Sequence, residues 1–294
     1  MDEFQAVLKA RELVRKVNPD TIPVPVESYA REINAVIRPQ CDLGPDEAGY
    51  CFENNGKRFI CTNANDRQER QRFTVCHEIA HVRLGLPSQH ASLPWWSYAK
   101  RPLAEIFCDV FAAELLLPYD LFQPEAERSN ICLSAIVELG ERFQASVTAT
   151  GSRYAAVVSS PVAFVLSEQG KVRYASRSKP LRDASAWIPT RLDLPEGSLS
   201  KMVRSGSSFE IRDEVDADLW FSDWERGGKL LEEVRHFSQW DQTLTLLWFE
   251  NEEVPGRRFR DEHGEVREDE ENEDDARLKE LDGNLRWPSK HRRS

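Results

Sequence analysis

The chain has 294 residues, of which 40% are hydrophobic and 30% charged, with a formal net charge of −11. That length admits two domains, and the acidic balance argues against non-specific binding to nucleic acid or to an anionic membrane surface. No segment approaches the ~18 consecutive apolar residues of a membrane span, and the N-terminus lacks the basic and apolar regions of a secretory signal, so a cytoplasmic location is expected.

Residues 4–17 read as a helix, with Val7, Leu8, Leu13, Val14 and Val17 at helical spacing, stopped by Pro19. A second helix is expected over 26–34. Two strand-like segments follow, 48–53 and 58–62, and Asn54-Asn55-Gly56 between them signals a hairpin turn. The pattern over 67–84 is helical again and closes on Gly85 with Pro87 beyond it. Residues 86–101 form a loop that contains Trp95, Trp96 and Tyr98. Another helix spans 102–116, and residues 131–158 suggest two more that meet near Gln144-Ala145-Ser146. After Pro161 the texture becomes strand-like, at 162–166, 172–175 and 244–249. From about Asn251 the chain is charge-dense, with too few apolar residues to offset ordering entropy, and reads as disordered. Cys41, Cys51, Cys61, Cys76, Cys108 and Cys132 form no CxxC pair; free core thiols are expected in a reducing compartment.

The chemistry concentrates in Cys76-His77-Glu78-Ile79-Ala80-His81, which carries His-Glu-x-x-His on the predicted helix. Residues four apart share a helix face, so both imidazoles can reach one ion. Zn²⁺ accepts imidazole nitrogen, and Glu78, one residue after His77, is placed to take a proton from an activated water. A catalytic zinc generally has three protein ligands. The next helix offers Glu105 and Glu114 for the third. Glu105 has Asp109 one turn later on its own face, suited to orient a histidine ligand through its other N–H. Glu114 lies roughly 180° around the helix, which favours Glu105. The ligand set also accepts Mn²⁺, and the sequence does not choose between the ions.

The run Arg70-Gln71-Arg72-Phe73-Thr74-Val75-Cys76-His77-Glu78-Ile79-Ala80-His81 resembles the metallopeptidases of the ImmA/IrrE family. So does Glu105-Ile106-Phe107-Cys108-Asp109-Val110-Phe111-Ala112-Ala113-Glu114-Leu115-Leu116-Leu117-Pro118. The family pattern is Arg-Phe-Thr-x-x-His-Glu-x-x-His, then Glu-x-x-Ala-Asn-x-Phe-Ala-Ala-x-Leu-Leu-x-Pro. Cys108-Asp109 replaces the usual Ala-Asn, and aspartate is the more basic orienting partner. Cys76 stands where alanine is common. The resemblance implies a zincin-like domain with His77, His81 and Glu105 as zinc ligands and Glu78 as the base. It further implies a protein substrate, a helix-turn-helix transcriptional repressor, cleaved to relieve repression in a stress or mobile-element response. A catalytically silent protein that binds a repressor or DNA is the alternative.

Tyr98, His90 and Arg83 lie near the motif in sequence and are candidates to stabilise the oxyanion, Tyr98 first. Trp95 and Trp96 suit either a cleft wall or a hydrophobic plug. Residues 136–159 have helix-turn-helix spacing, but Arg153 is the lone basic residue of the second helix, which disfavours DNA binding. Gly227-Gly228-Lys229 lacks phosphate-loop spacing. The expected fold class is α+β: a zincin-like, mainly helical peptidase domain with a small sheet over 1–128, a helix-turn-helix-like unit over 129–159, a smaller α+β domain over 160–250, for which the resemblance implies a sensor-like role, and a tail over 251–294.

Overall fold

The computed structural model describes residues 2–44, 47–87, 102–205, 209–250 and 253–256, and the short segments 258–260 and 266–268. The chain divides into two compact units: Met1–Ser129 with Ser134–Thr150, and Asn130–Leu133 with Gly151–Ser294. The α+β class read from the sequence is the class observed.

In the first unit, α1 (Glu3–Val17) starts where the Asp2 side chain accepts a hydrogen bond from the Gln5 amide, and ends at Asn18 in the left-handed region. It buries Ala6, Val7, Ala10, Leu13 and Val14. The expected second helix is shorter than its pattern: α2 (Val26–Glu32) ends before Ile33, and the chain turns into a strand that the sequence reading missed, β1 (Ala35–Gln40). Then come β2 (Gly49–Asn54) and β3 (Lys57–Asn63), joined through Asn55 and Gly56, both at positive φ as a two-residue hairpin of this hand requires. The sheet order is β1-β3-β2, with β1 parallel and β2 antiparallel to β3. Among the described residues, the outer edge of strand β2 is therefore open.

Helix α3 (Gln68–Leu84) packs along α4 (Leu103–Leu116), and Val75, Cys76 and Ile79 of one and Cys108, Phe111, Ala112 and Leu115 of the other are buried. Gly85 closes α3 at φ 66°, and the Gly85 and Leu86 amides both donate to the His81 carbonyl. A second element that the sequence reading missed, α5 (Tyr119–Arg128), carries Pro124 inside it. Helix α6 (Leu133–Phe143) turns through Gln144, at φ 52°, into α7 (Val147–Val157).

The second unit holds a five-stranded antiparallel sheet made of β4 (Val162–Glu168), β5 (Lys171–Arg177), β6 (Glu210–Asp216), β7 (Lys229–Phe237) and β8 (Gln242–Trp248), ordered β5-β4-β8-β7-β6. Short helices α8 (Lys179–Asp183) and α9 (Leu199–Ser205) complete it around Val165, Trp220, Phe221, Val234 and Leu247. The buried Glu232 carboxylate accepts hydrogen bonds from the Leu199 and Ser200 amides, the Ser200 hydroxyl and the Trp220 indole N–H. A charge in the interior is tolerable when its oxygens are satisfied in this way. Strands β9 (Arg258–Arg260) and β10 (Val266–Glu268) pair as a ribbon within the charged segment; the rest of the tail from 269 lies outside the described residues.

No disulfide joins any of the six cysteines. Their expected core placement holds for Cys61, Cys76 and Cys108, whereas Cys41 is exposed and Cys51 and Cys132 are intermediate. No helix among the described residues is long and apolar enough to cross a membrane.

Candidate active site

The helical period of α3 puts His77 and His81 on one face, and the packing of α4 against that face brings Glu105 and Asp109 to them. His77 Nε2 lies 3.0 Å from His81 Nε2 and 3.1 Å from Glu105 Oε2, and His81 Nε2 lies 3.5 Å from Glu105 Oε1. On the far side of the His77 ring, Nδ1 faces Asp109 Oδ1 at 3.0 Å. His81 Nδ1 faces the Leu86 carbonyl at 3.3 Å.

These partners decide the tautomers. A carbonyl only accepts, so His81 carries its proton on Nδ1 and presents a lone pair at Nε2. The Asp109 carboxylate places the His77 proton on Nδ1 in the same way. Two imidazole lone pairs and a carboxylate thus converge at hydrogen-bond distance, which is repulsive unless a cation lies among them. The ligand atoms of His77, His81 and Glu105 all fall within 4.8 Å of one another. Ligands 2.0–2.1 Å from a tetrahedral ion stand roughly 3.3 Å apart. The observed separations of 3.0, 3.1 and 3.5 Å match that value, so the residues present fit a divalent metal.

The electrostatics agree. Burial alone would lower the His77 pKa, but hydrogen bonds to Asp109 and Glu105, with the charges of Asp109 and Glu78, outweigh it and raise the value to about 9. Burial likewise opposes ionisation of Glu105, yet hydrogen bonds and charge from His77 and His81 hold it well below the usual carboxylate range. The cluster calls for positive charge, which a proton supplies to His77 when no ion is bound.

Glu78 is 3% exposed and, with His81, lines a cleft of about 230 Å³. The opposite wall comes from the small sheet: Cys51 and Glu53 of β2, and Arg58 of β3. Burial pushes the Cys51 thiol up to about 11, and the Glu78 charge adds to that shift. None of these wall residues stood out in the sequence. Each belongs to a strand whose alternation was visible, but their convergence on Glu78 depends on a sheet order that no local pattern records.

Glu114, the other acidic candidate on α4, is 2% exposed and lies apart from this cluster. Its Oε1 accepts from Arg11 Nε of α1 and from the Tyr119 amide at the start of α5, both at 3.3 Å. Arg83 is exposed on the last turn of α3. Tyr98, His90, Trp95 and Trp96 lie outside the described residues.

Residues 36–154 match the IrrE N-terminal-like domain of the peptidase M78 family. The chain is 31% identical over 147 residues to the radiation response metalloprotease IrrE of Deinococcus radiodurans, an alignment that covers 49% of this chain and 42% of that protein. With the protein of the same name from Deinococcus deserti it is 36% identical over 116 residues, 38% of this chain and 40% of that one. The aligned region spans about two fifths of the length of each relative. A Mycobacterium tuberculosis transcriptional regulator shares the fold, with a TM-score of 0.59 and 12% identity over 85% of this chain and 79% of that one.

Proposed function

We propose that this chain, which belongs to the ImmA/IrrE family through its IrrE N-terminal-like domain, is a metal-dependent endopeptidase that uses zinc held by His77, His81 and Glu105. The observation that carries the reading is the convergence of those three donors beside a buried glutamate that opens onto a cleft. When bound, the ion supplies Lewis acidity toward a carbonyl oxygen and a water molecule.

The remaining work falls to the chain. Glu78 is the general base: its carboxylate takes a proton from the attacking water and returns it to the departing amine. Asp109 and the Leu86 carbonyl hold the two imidazoles in the Nδ1–H tautomer, so that both Nε2 atoms remain free to ligate. Strand β2 supplies the peptide-binding edge. Among the described residues its outer side is unpaired, and Cys51 and Glu53 lie along the cleft, so an extended substrate can add to it as a further strand. Tyr98 remains the proposed oxyanion donor. Family resemblance makes a helix-turn-helix transcriptional repressor the proposed substrate and the cytoplasm the proposed compartment.

The test uses the full chain, loaded with Zn²⁺ or Mn²⁺, and a purified helix-turn-helix repressor, taken from beside its gene where one is encoded there. Wild type is expected to cut the repressor, while Glu78→Gln retains the metal and loses a factor on the order of 10²–10⁴ in rate. Equal behaviour of the two proteins would refute the peptidase reading.

A further inference from the structure

The cleft wall opposite Glu78 carries a charged pair that the peptidase reading leaves unused. Arg58 and Glu53 are cross-strand partners on β3 and β2, and the guanidinium Nη2 lies 3.3 Å from Glu53 Oε2. The two differ in how they are held. Arg58 Nη1 also donates to the Ile33 carbonyl at 2.9 Å, which fixes the guanidinium from behind. Glu53 is 55% exposed along its side chain, against 37% for Arg58, and among the described residues no backbone group is seen to anchor it. An exposed pair of this kind is weak, so Glu53 can swing into solvent while Arg58 stays in place.

Among the described residues lining the cleft, Arg58 is the one permanent cation; Glu53 and Glu78 are acidic. A guanidinium fixed on one side and contacted on the other by a loosely held carboxylate is already arranged for a carboxylate brought in by a ligand. Arginine takes carboxylates in a fork geometry that lysine cannot reproduce. Because Arg58 is ordered before binding, little side-chain freedom is lost when the exchange occurs.

We propose that Arg58 is a specificity-determining residue that selects peptide segments with an aspartate or glutamate close to the scissile bond, Glu53 holding its place in the free enzyme. This rests on the peptidase reading of the same site. Arg58 touches the substrate side chain and not the reacting atoms, so its effect belongs to binding.

The test is digestion of a proteome-derived peptide library by the zinc-loaded full chain, with cut sites mapped by mass spectrometry. Wild type is expected to enrich Asp and Glu within a few residues of the cut. Arg58→Gln loses that enrichment, and its kcat/KM on the best acidic peptide falls roughly 10–100-fold, the equivalent of one charge-assisted hydrogen bond, with the loss mainly in KM. Arg58→Glu shifts the preference toward Lys and Arg. Glu53→Gln leaves Arg58 in place and removes its competitor, so acidic enrichment rises; this variant decides the matter if Arg58 substitutions fold poorly. A wild-type profile with no acidic preference, or one that Arg58→Gln reproduces, overturns the proposal and leaves the peptidase reading standing. No cut by wild type above the Glu78→Gln background overturns both.

Discussion

Replacing Asp109 by alanine removes the carboxylate 3.0 Å from His77 Nδ1 and leaves the three proposed ligands in place. Two quantities should move together. Loss of an orienting carboxylate behind a ligand histidine costs about 10–100-fold in metal affinity, equivalent to about 1.4–2.8 kcal/mol. The second quantity is the proton count. In the metal-free wild type the His77 pKa is about 9, so the ring is charged at neutral pH and must give up its proton to bind an ion. Zinc uptake near neutrality therefore releases about one proton, and apparent affinity climbs about tenfold per pH unit until pH reaches about 9. Burial pulls the His77 pKa down, and the hydrogen bond to Asp109 leads the influences that raise it. Without that bond the pKa falls, so both the proton release at neutral pH and the slope should diminish. Calorimetric zinc titration in buffers of different ionisation enthalpy, with a competing chelator, measures both quantities. Affinity within about threefold of wild type, well inside the expected loss, or unchanged proton release, would refute the assignment of Asp109.

Other substitutions probe the surrounding structure. Glu114→Ala removes the buried carboxylate that accepts from Arg11, whose side chain is 12% exposed, and should lower stability by about 3–5 kcal/mol in chemical denaturation. The folded fraction should still bind zinc as wild type does. In the metal-free protein, the raised His77 pKa contributes stability that is fully present below about pH 6.5 and is lost as pH rises through about 9. Melting temperatures recorded with a chelator should fall across that window. A methyl group at Gly49 would sit 2.2 Å from the Cys61 carbonyl oxygen and 2.7 Å from Thr74 Cγ2. Gly49→Ala should thus displace β2 and destabilise the fold by about 1–3 kcal/mol, read by thermal melting. In native protein, a thiol reagent with mass-spectrometric mapping should modify Cys41 and spare Cys76, which burial pushes up to about 12 until unfolding exposes it.

The helices that carry the site were legible because their information is local. His77 and His81, and then Glu105 and Asp109, repeat at the helical period, and Gly85 marks where α3 stops. What was not legible depends on partners far along the chain. Strand β1 contains Pro39, alternates weakly and is held by parallel pairing to β3, so its own residues advertise little. Strands β6 and β7 are dense in charge, and β7 buries the consecutive Glu232 and Glu233, whose side chains point to opposite faces of the sheet. Glu232 is stable there because of donors from α9 and Trp220, which no window around it contains. The same applies to Arg58: a strand arginine gains significance only when the sheet order places it across a cleft from Glu78.

Gly85 joins two matters that would otherwise seem independent. At φ 66° it reverses the chain so that the next residue, Leu86, aims its carbonyl back at His81 Nδ1. The helix terminator thus sets which nitrogen His81 has available for the proposed ion. A residue with a side chain at position 85 would be strained in that turn, and the strain would be relieved by moving the carbonyl. Such a lesion touches no ligand, yet in a metal-affinity assay it would behave as though a ligand had been damaged.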